Sequence, residues 1–143
     1  MRWATLVLVV ALGGCNDLRD FSGTWQGGRV GEAEVVRIGV AVNARATLSV
    51  ERIDAHGLGG HLVVDGIADA DLTSLAGAEA DALAGMTFSG APLRVYMAFV
   101  PTRDGGGEAL AIVALYDDHR IEVRLLRGGT TPLYAIFALV EPP

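Results

Sequence analysis

Between Phe21 and Val140 the apolar residues come in short runs, each cut by Gly, Pro, Asn or Asp. This punctuation constrains the fold more than any other feature of the chain. Runs of four to nine β-branched, aromatic and aliphatic residues at hairpin spacing leave no room for long helices and predict antiparallel strands. The expected strands cover 21–29, 33–42, 45–54, 61–65, 93–100, 108–116, 120–127 and 133–140. The stretch 45–54 alternates cleanly, with Ala46, Leu48 and Val50 against Thr47, Ser49 and Glu51. Between 69 and 84 the β-branched residues thin out. Leu72, Leu75, Ala76 and Leu83 there suit one helical face, with Asp71 as N-cap and Gly85 as stop. A short helix over 71–84 is the expectation, with an irregular strand as the alternative. About eight strands and one helix read as a mainly β chain, an antiparallel up-and-down barrel or a sandwich.

The strands differ in what they require of their surroundings. In 120–127, Ile121, Val123 and Leu125 alternate with Arg120, Glu122 and Arg124, which predicts one wet face. Strands 93–100, 109–116 and 133–140 are apolar on both faces. In the last, Leu133, Ala135, Phe137 and Leu139 oppose Tyr134, Ile136, Ala138 and Val140. A strand of that kind needs cover on both sides, from the chain's own helix or loop, or from a partner or second copy.

The N-terminus is of another character. Arg2 precedes the apolar run Trp3-Ala4-Thr5-Leu6-Val7-Leu8-Val9-Val10-Ala11-Leu12, the pattern of a secretory signal. The run falls short of the roughly 20 apolar residues a spanning helix needs. It ends in Leu12-Gly13-Gly14-Cys15, which resembles the lipobox of bacterial lipoproteins: an aliphatic residue, two small ones and the cysteine that receives lipid. Small residues leave the backbone open to the signal peptidase. The resemblance implies removal of residues 1–14, lipidation of Cys15, a tether over 15–20 and one domain over 21–143. It places the protein in the cell envelope, anchored to a membrane and facing the periplasm or exterior. Asn16 after the cysteine leans toward the outer membrane by the sorting habit of enteric lipoproteins. Cys15 is the only cysteine, so no internal disulfide is available, and acylation removes a thiol that would be exposed to oxidants.

A second resemblance lies in Phe21-Ser22-Gly23-Thr24-Trp25, which is similar to the G-x-W signature on the first strand of the calycins, the lipocalin and avidin-like barrels. It implies an eight-stranded up-and-down barrel with Trp25 closing the floor and Gly23 letting the chain enter beside it. It also implies the option of a small apolar ligand inside. Lipocalins stack an arginine on the tryptophan; the last strand here has none, which leaves Arg124 or Arg127 to substitute. The avidin-like pocket needs several tryptophans, and beyond Trp3 this chain has only Trp25.

Composition and motifs exclude more than they assign. All 11 basic residues are Arg, against 17 acidic ones, for a formal charge of −6. Without a basic cluster, nucleic-acid binding is not expected. No catalytic motif is present: Thr87 breaks the frame of a nucleophile elbow around Ser89, and Gly105-Gly106-Gly107 opens no helix. His56 and His61 could meet across a hairpin near Asp54 or Asp65. Asp69, Asp71 and Thr73 superficially match a calcium loop, but Ser74 and Ala80 stand where glycine and glutamate are needed. No enzyme activity, cofactor or metal is expected. The functional expectation is a non-enzymatic envelope lipoprotein that docks a partner or itself through an apolar sheet face, with a small-ligand carrier as the alternative.

Overall fold

The computed structural model describes residues 17–30, 39–75 and 90–143. A 3-10 turn, Leu18–Phe21, leads into eight strands: β1 (Gly23–Gly28), β2 (Arg45–Ile53), β3 (Gly57–Val64), β4 (Ala68–Leu75), β5 (Arg94–Pro101), β6 (Glu108–Tyr116), β7 (Arg120–Arg127) and β8 (Leu133–Leu139). Each pairs antiparallel with the next in a single sheet of order β1 to β8. The sheet closes on itself. Gln26 N donates to Val140 O at 3.0 Å, Val140 N returns to Gln26 O at 3.1 Å, and Val30 N reaches Ile136 O at 2.9 Å. The result is an up-and-down barrel, the first of the two architectures expected from the strand spacing. The seam between β4 and β5 is the sparsest, with the one pair Leu75↔Met97 among the described residues.

Gly27 explains how the ends meet. A Cβ at this position would lie 1.8 Å from Ala138 O, so only a residue without a side chain lets β1 approach β8 this closely.

The barrel interior is filled by alternate residues of every strand. Trp25, Leu48, Leu58, Leu62, Leu72, Tyr96, Leu115, Ile121, Leu125 and Phe137 all point inward with under 2% of their surface accessible. An eight-stranded barrel is just wide enough for its own side chains to fill it. Tyr96 keeps its hydroxyl satisfied by donating to Asp54 O at 2.7 Å, and burial pushes its pKa up to about 12.

Three expectations change. Residues 71–75 do not begin a helix: they belong to β4, which pairs with β3 from Val64↔Ala68 to Gly57↔Leu75. The remainder of the expected helix, 76–84, lies outside the described residues, as does 33–38 of the expected second strand. Residues 39–42 at the end of that strand are turn and bend, with Gly39 at φ +78°. The polar face of β7 is not wet. Glu122 and Arg124 are 2% and 5% exposed, and Arg124 Nε donates to Glu122 Oε1 at 2.6 Å. Two opposite charges two residues apart on one strand face pair with each other, which offsets part of the cost of burying them. Beside them on the outer face of β6, Ile112, Ala114 and Tyr116 are also buried.

Candidate functional site

Two regions hold the features singled out in the sequence: the end of the barrel at Trp25, and the outer face of β5–β8. Cys15 lies outside the described residues. The chain is fixed from Asp17 onward. The Asp17 side chain caps the 3-10 turn by accepting from Arg19 N at 3.0 Å. Leu18 packs against the core, and Phe21 is buried. Trp25 Nε1 then donates to Phe21 O at 2.9 Å, so the one polar atom of the indole is satisfied inside the barrel.

Gly23 stands at φ +114°, a region that side chains with a Cβ rarely enter. This is the physical reason for glycine two residues before Trp25: the chain turns sharply out of the 3-10 turn and delivers the indole to the floor. Three rings close that floor. Phe21 stacks on Trp25 with centroids 5.7 Å apart, and His119 meets Trp25 edge-on at 4.8 Å. His119 sits in the β6–β7 turn at φ +60°, with Nε2 3.1 Å from Glu141 Oε2.

Neither Arg124 nor Arg127 stacks on Trp25. Arg124 faces outward and is held by Glu122. Arg127 stands at the far end, where it ties two loops together. Its Nη2 bonds Asp104 Oδ2, Nη1 reaches Thr102 Oγ1 at 2.8 Å, and Nε donates to Thr131 O at 2.7 Å. The guanidinium holds the Asp104 carboxyl well below the usual carboxylate range. The phenyl and imidazole rings that stand in for an arginine at Trp25 come from positions 4 and 94 residues along the chain. No local pattern links the imidazole to Trp25.

The outer face of β5–β8 carries an unbroken apolar row near that far end. Phe99 pairs with Leu110, Leu110 with Leu126, and Leu126 with Tyr134. Phe99 is 69% exposed, and the other three are half-buried. A shallow groove of about 350 Å³ runs beside them, lined by Leu110, Leu126, Pro132 and Tyr134. The two-sided apolar strands are therefore covered unequally. In β8 the inward Leu133, Ala135, Phe137 and Leu139 are sealed, whereas Tyr134, Ile136 and Ala138 are half-buried and Val140 is 54% exposed.

The remaining polar candidates assemble on the outside of β3 and β4. His61 does not meet His56. Its Nδ1 lies 2.8 Å from Asp71 Oδ1 and its Nε2 2.7 Å from Asp69 Oδ1, while Arg103 approaches Asp69 at 3.1 Å. Asp69, Asp71 and Thr73 alternate along an extended strand, so they form no calcium loop and cap no helix. Among the described residues no group of three acidic, histidine or cysteine side chains is placed to hold a metal ion.

The two carboxylates raise the His61 pKa, Asp71 contributing more than Asp69. A histidine whose pKa is raised on folding adds stability that is complete below its unfolded value, about 6.5, and lost as pH rises through the folded value. Asp69 is shifted down chiefly by the same contact, so its share is lost only on acidification through the carboxylate range. Stability is therefore expected to decline as pH rises above about 6.5, in a step that His61→Gln abolishes. Urea midpoints of both proteins across pH 5 to 9 check this. The site is more than a third exposed, so the step is small.

No family model matches this sequence, and no curated protein does. Among solved structures, a crystal structure of a mutant of the fluorescent protein UnaG is similar to this chain. It is 13% identical over 89% of this chain and 99% of that chain, at a TM-score of 0.43. The barrel assignment rests on this chain's own strand register and on the β1–β8 closure bonds.

Proposed function

We propose that this protein is a non-enzymatic envelope lipoprotein, anchored through lipid on Cys15, whose barrel acts through its outer surface. The observation that supports an outer-surface role is the contrast between a filled interior and an apolar exterior row. The large inward side chains have under 2% of their surface accessible, while Phe99 and its row present aromatic and aliphatic groups to solvent. Contiguous apolar surface of this kind marks sites where soluble proteins meet partners or copies of themselves.

The anchor reading rests on Leu12-Gly13-Gly14-Cys15 after a short apolar run. Two or three acyl chains, at about 0.8 kcal/mol for each buried CH₂, make such an anchor effectively permanent. Cys15→Ser is expected to yield an unprocessed or soluble protein. Membrane fractionation with an intact-mass measurement checks it; a Cys15→Ser protein that is still shortened, acylated and membrane-bound sinks the anchor reading.

The G-x-W resemblance supports a second reading, a carrier of a small apolar ligand. A carrier needs an enclosed pocket of about 300 Å³ or more, whereas the described inward side chains border no accessible space of that kind. Native mass spectrometry of the lipid-free domain separates the two. A co-purifying small molecule supports the carrier, and a ligand-free domain that dimerises or binds an envelope protein supports the docking surface.

A further inference from the structure

We infer that the Trp25 end of the barrel rests on the lipid headgroup layer, so that the opposite end, with the Phe99–Leu110–Leu126–Tyr134 row beside it, points away from the bilayer. This rests on lipidation of Cys15 as proposed above. Only Asn16 separates Cys15 from Asp17, and two residues of fully extended chain span about 7 Å at most. From Asp17 the chain has no slack: the capped 3-10 turn, Leu18 in the core, buried Phe21 and the Trp25–Phe21 bond fix it to the barrel floor.

The antiparallel order sets what lies at each end. β1 starts beside the anchor at Gly23 and runs away from it. The turns 54–56 and 117–119 and the residues after β8 share the anchored end. The loops 65–67, 102–107 and 128–132 share the other. A strand of about eight residues rises about 26 Å, or about 20 Å along the axis of a barrel tilted by about 40°. A reach of about 7 Å therefore excludes a barrel standing on its far loops while the chain stays anchored at the floor.

Electrostatics decides how deep the floor sits. Among the described residues the anchored rim carries Asp17, Asp20, Asp54, Asp117, Asp118 and Glu141 against Arg19, Arg52, Arg94 and Arg120. Phe21 and Trp25 are sealed beneath it, and the exposed apolar side chains described at this end are the isolated Leu93 and Val140. Carboxylates do not enter hydrocarbon without large cost, and an acidic rim is repelled by anionic lipid. The charges of the described rim thus favour headgroup depth over the acyl region.

The test uses the mature acylated protein in phosphatidylcholine vesicles carrying a nitroxide on the lipid headgroup. Acylated Cys15 leaves a thiol introduced as Asp118→Cys or Gly128→Cys as the only labelling site. Residue 118 lies in the floor turn, and Gly128 in the β7–β8 loop has open space around it. A fluorophore at 118 is expected to be quenched several-fold more strongly than one at 128, with native Trp25 emission quenched alongside 118. Equal quenching at the two sites, as for a barrel on its side, or stronger quenching at 128, overturns the orientation. Intact mass on the same samples reports acylation separately: a non-acylated protein that leaves the vesicles overturns the anchor reading, and the orientation with it.

Discussion

Replacing Trp25 by Ala is expected to unfold or aggregate the domain. Large-to-small replacement of a buried aromatic ring costs about 3–5 kcal/mol, a large share of the 5–15 kcal/mol that typically holds a domain together. Three features put Trp25 at the upper part of that range. It has no accessible surface, its indole nitrogen is bonded to Phe21 O, and both Phe21 and His119 pack their rings on it. Truncation leaves a cavity that β1 cannot collapse to fill, because Gly27 already brings β1 against β8. The carbonyl of Phe21 also loses its donor, which loosens the turn that enters the barrel. In a domain expressed from residue 15 onward, which lacks Trp3, Trp25 is the only tryptophan. Its emission is expected to be blue-shifted and poorly quenched by iodide in the native domain and to shift red on unfolding; circular dichroism and urea midpoints report on Trp25→Ala, which lacks the fluorophore. An unchanged denaturation midpoint by circular dichroism in Trp25→Phe, together with a folded Trp25→Ala, would show that the floor does not depend on the indole.

The parts of this barrel that the sequence made legible are those where one residue type has one physical reading. The four strands from β5 onward lie within a residue or two of their expected bounds. Pro92, Pro101, Asp117-Asp118 and Gly128-Gly129 break the backbone ladder there, and the runs between them are long and β-branched. Gly23 and Trp25 were likewise legible, because a positive φ before a buried ring leaves a glycine signature.

β4 was not legible. Ala68-Asp69-Ala70-Asp71-Leu72 has little intrinsic preference for a strand, and it becomes one through its pairing with β3 after the turn at Gly66, φ +72°. β-propensity mostly measures fit to neighbours, and those neighbours are not written locally. The total of eight strands was reached with β4 present only as the irregular-strand alternative over 71–84 and with a strand over 33–42 in the count. The buried face of β7 misled for a related reason. Alternating Arg and Glu reads as a solvated face until Glu122 and Arg124 are seen to pair with each other under cover. The Trp25–His119 contact joins residues 94 positions apart, beyond the reach of any local pattern.

The inequality of the two faces of β8 leads to a sharp contrast between neighbours. Phe137→Glu places a carboxylate where Phe137 is fully sealed among inward side chains, with Val123 directly across the strand pair. The substitution forfeits the burial of the ring, about 3–5 kcal/mol by analogy with aromatic truncation. It adds the cost of a buried charge, several kcal/mol unless the carboxyl takes up a proton or pairs with Arg29, which stands opposite Phe137 across the β1–β8 bridge. The sum exceeds the stability of most domains of this size, so Phe137→Glu is expected to be unfolded at neutral pH. Ile136 is half-buried on the outer face, beside Arg124 on β7. A carboxylate there keeps access to water and stands next to a guanidinium already engaged by Glu122, so Ile136→Glu is expected to fold with a loss of about 1–2 kcal/mol. Its stronger effect falls on assembly, because it sets a charge one position from the row that Tyr134 ends. Proteolysis midpoints separate the two variants by stability, and sedimentation of Ile136→Glu against the parent reports association. A folded Phe137→Glu would mean that the interior yields to water. An Ile136→Glu protein with unchanged stability and unchanged assembly would remove the outer face of β8 from the proposed docking surface.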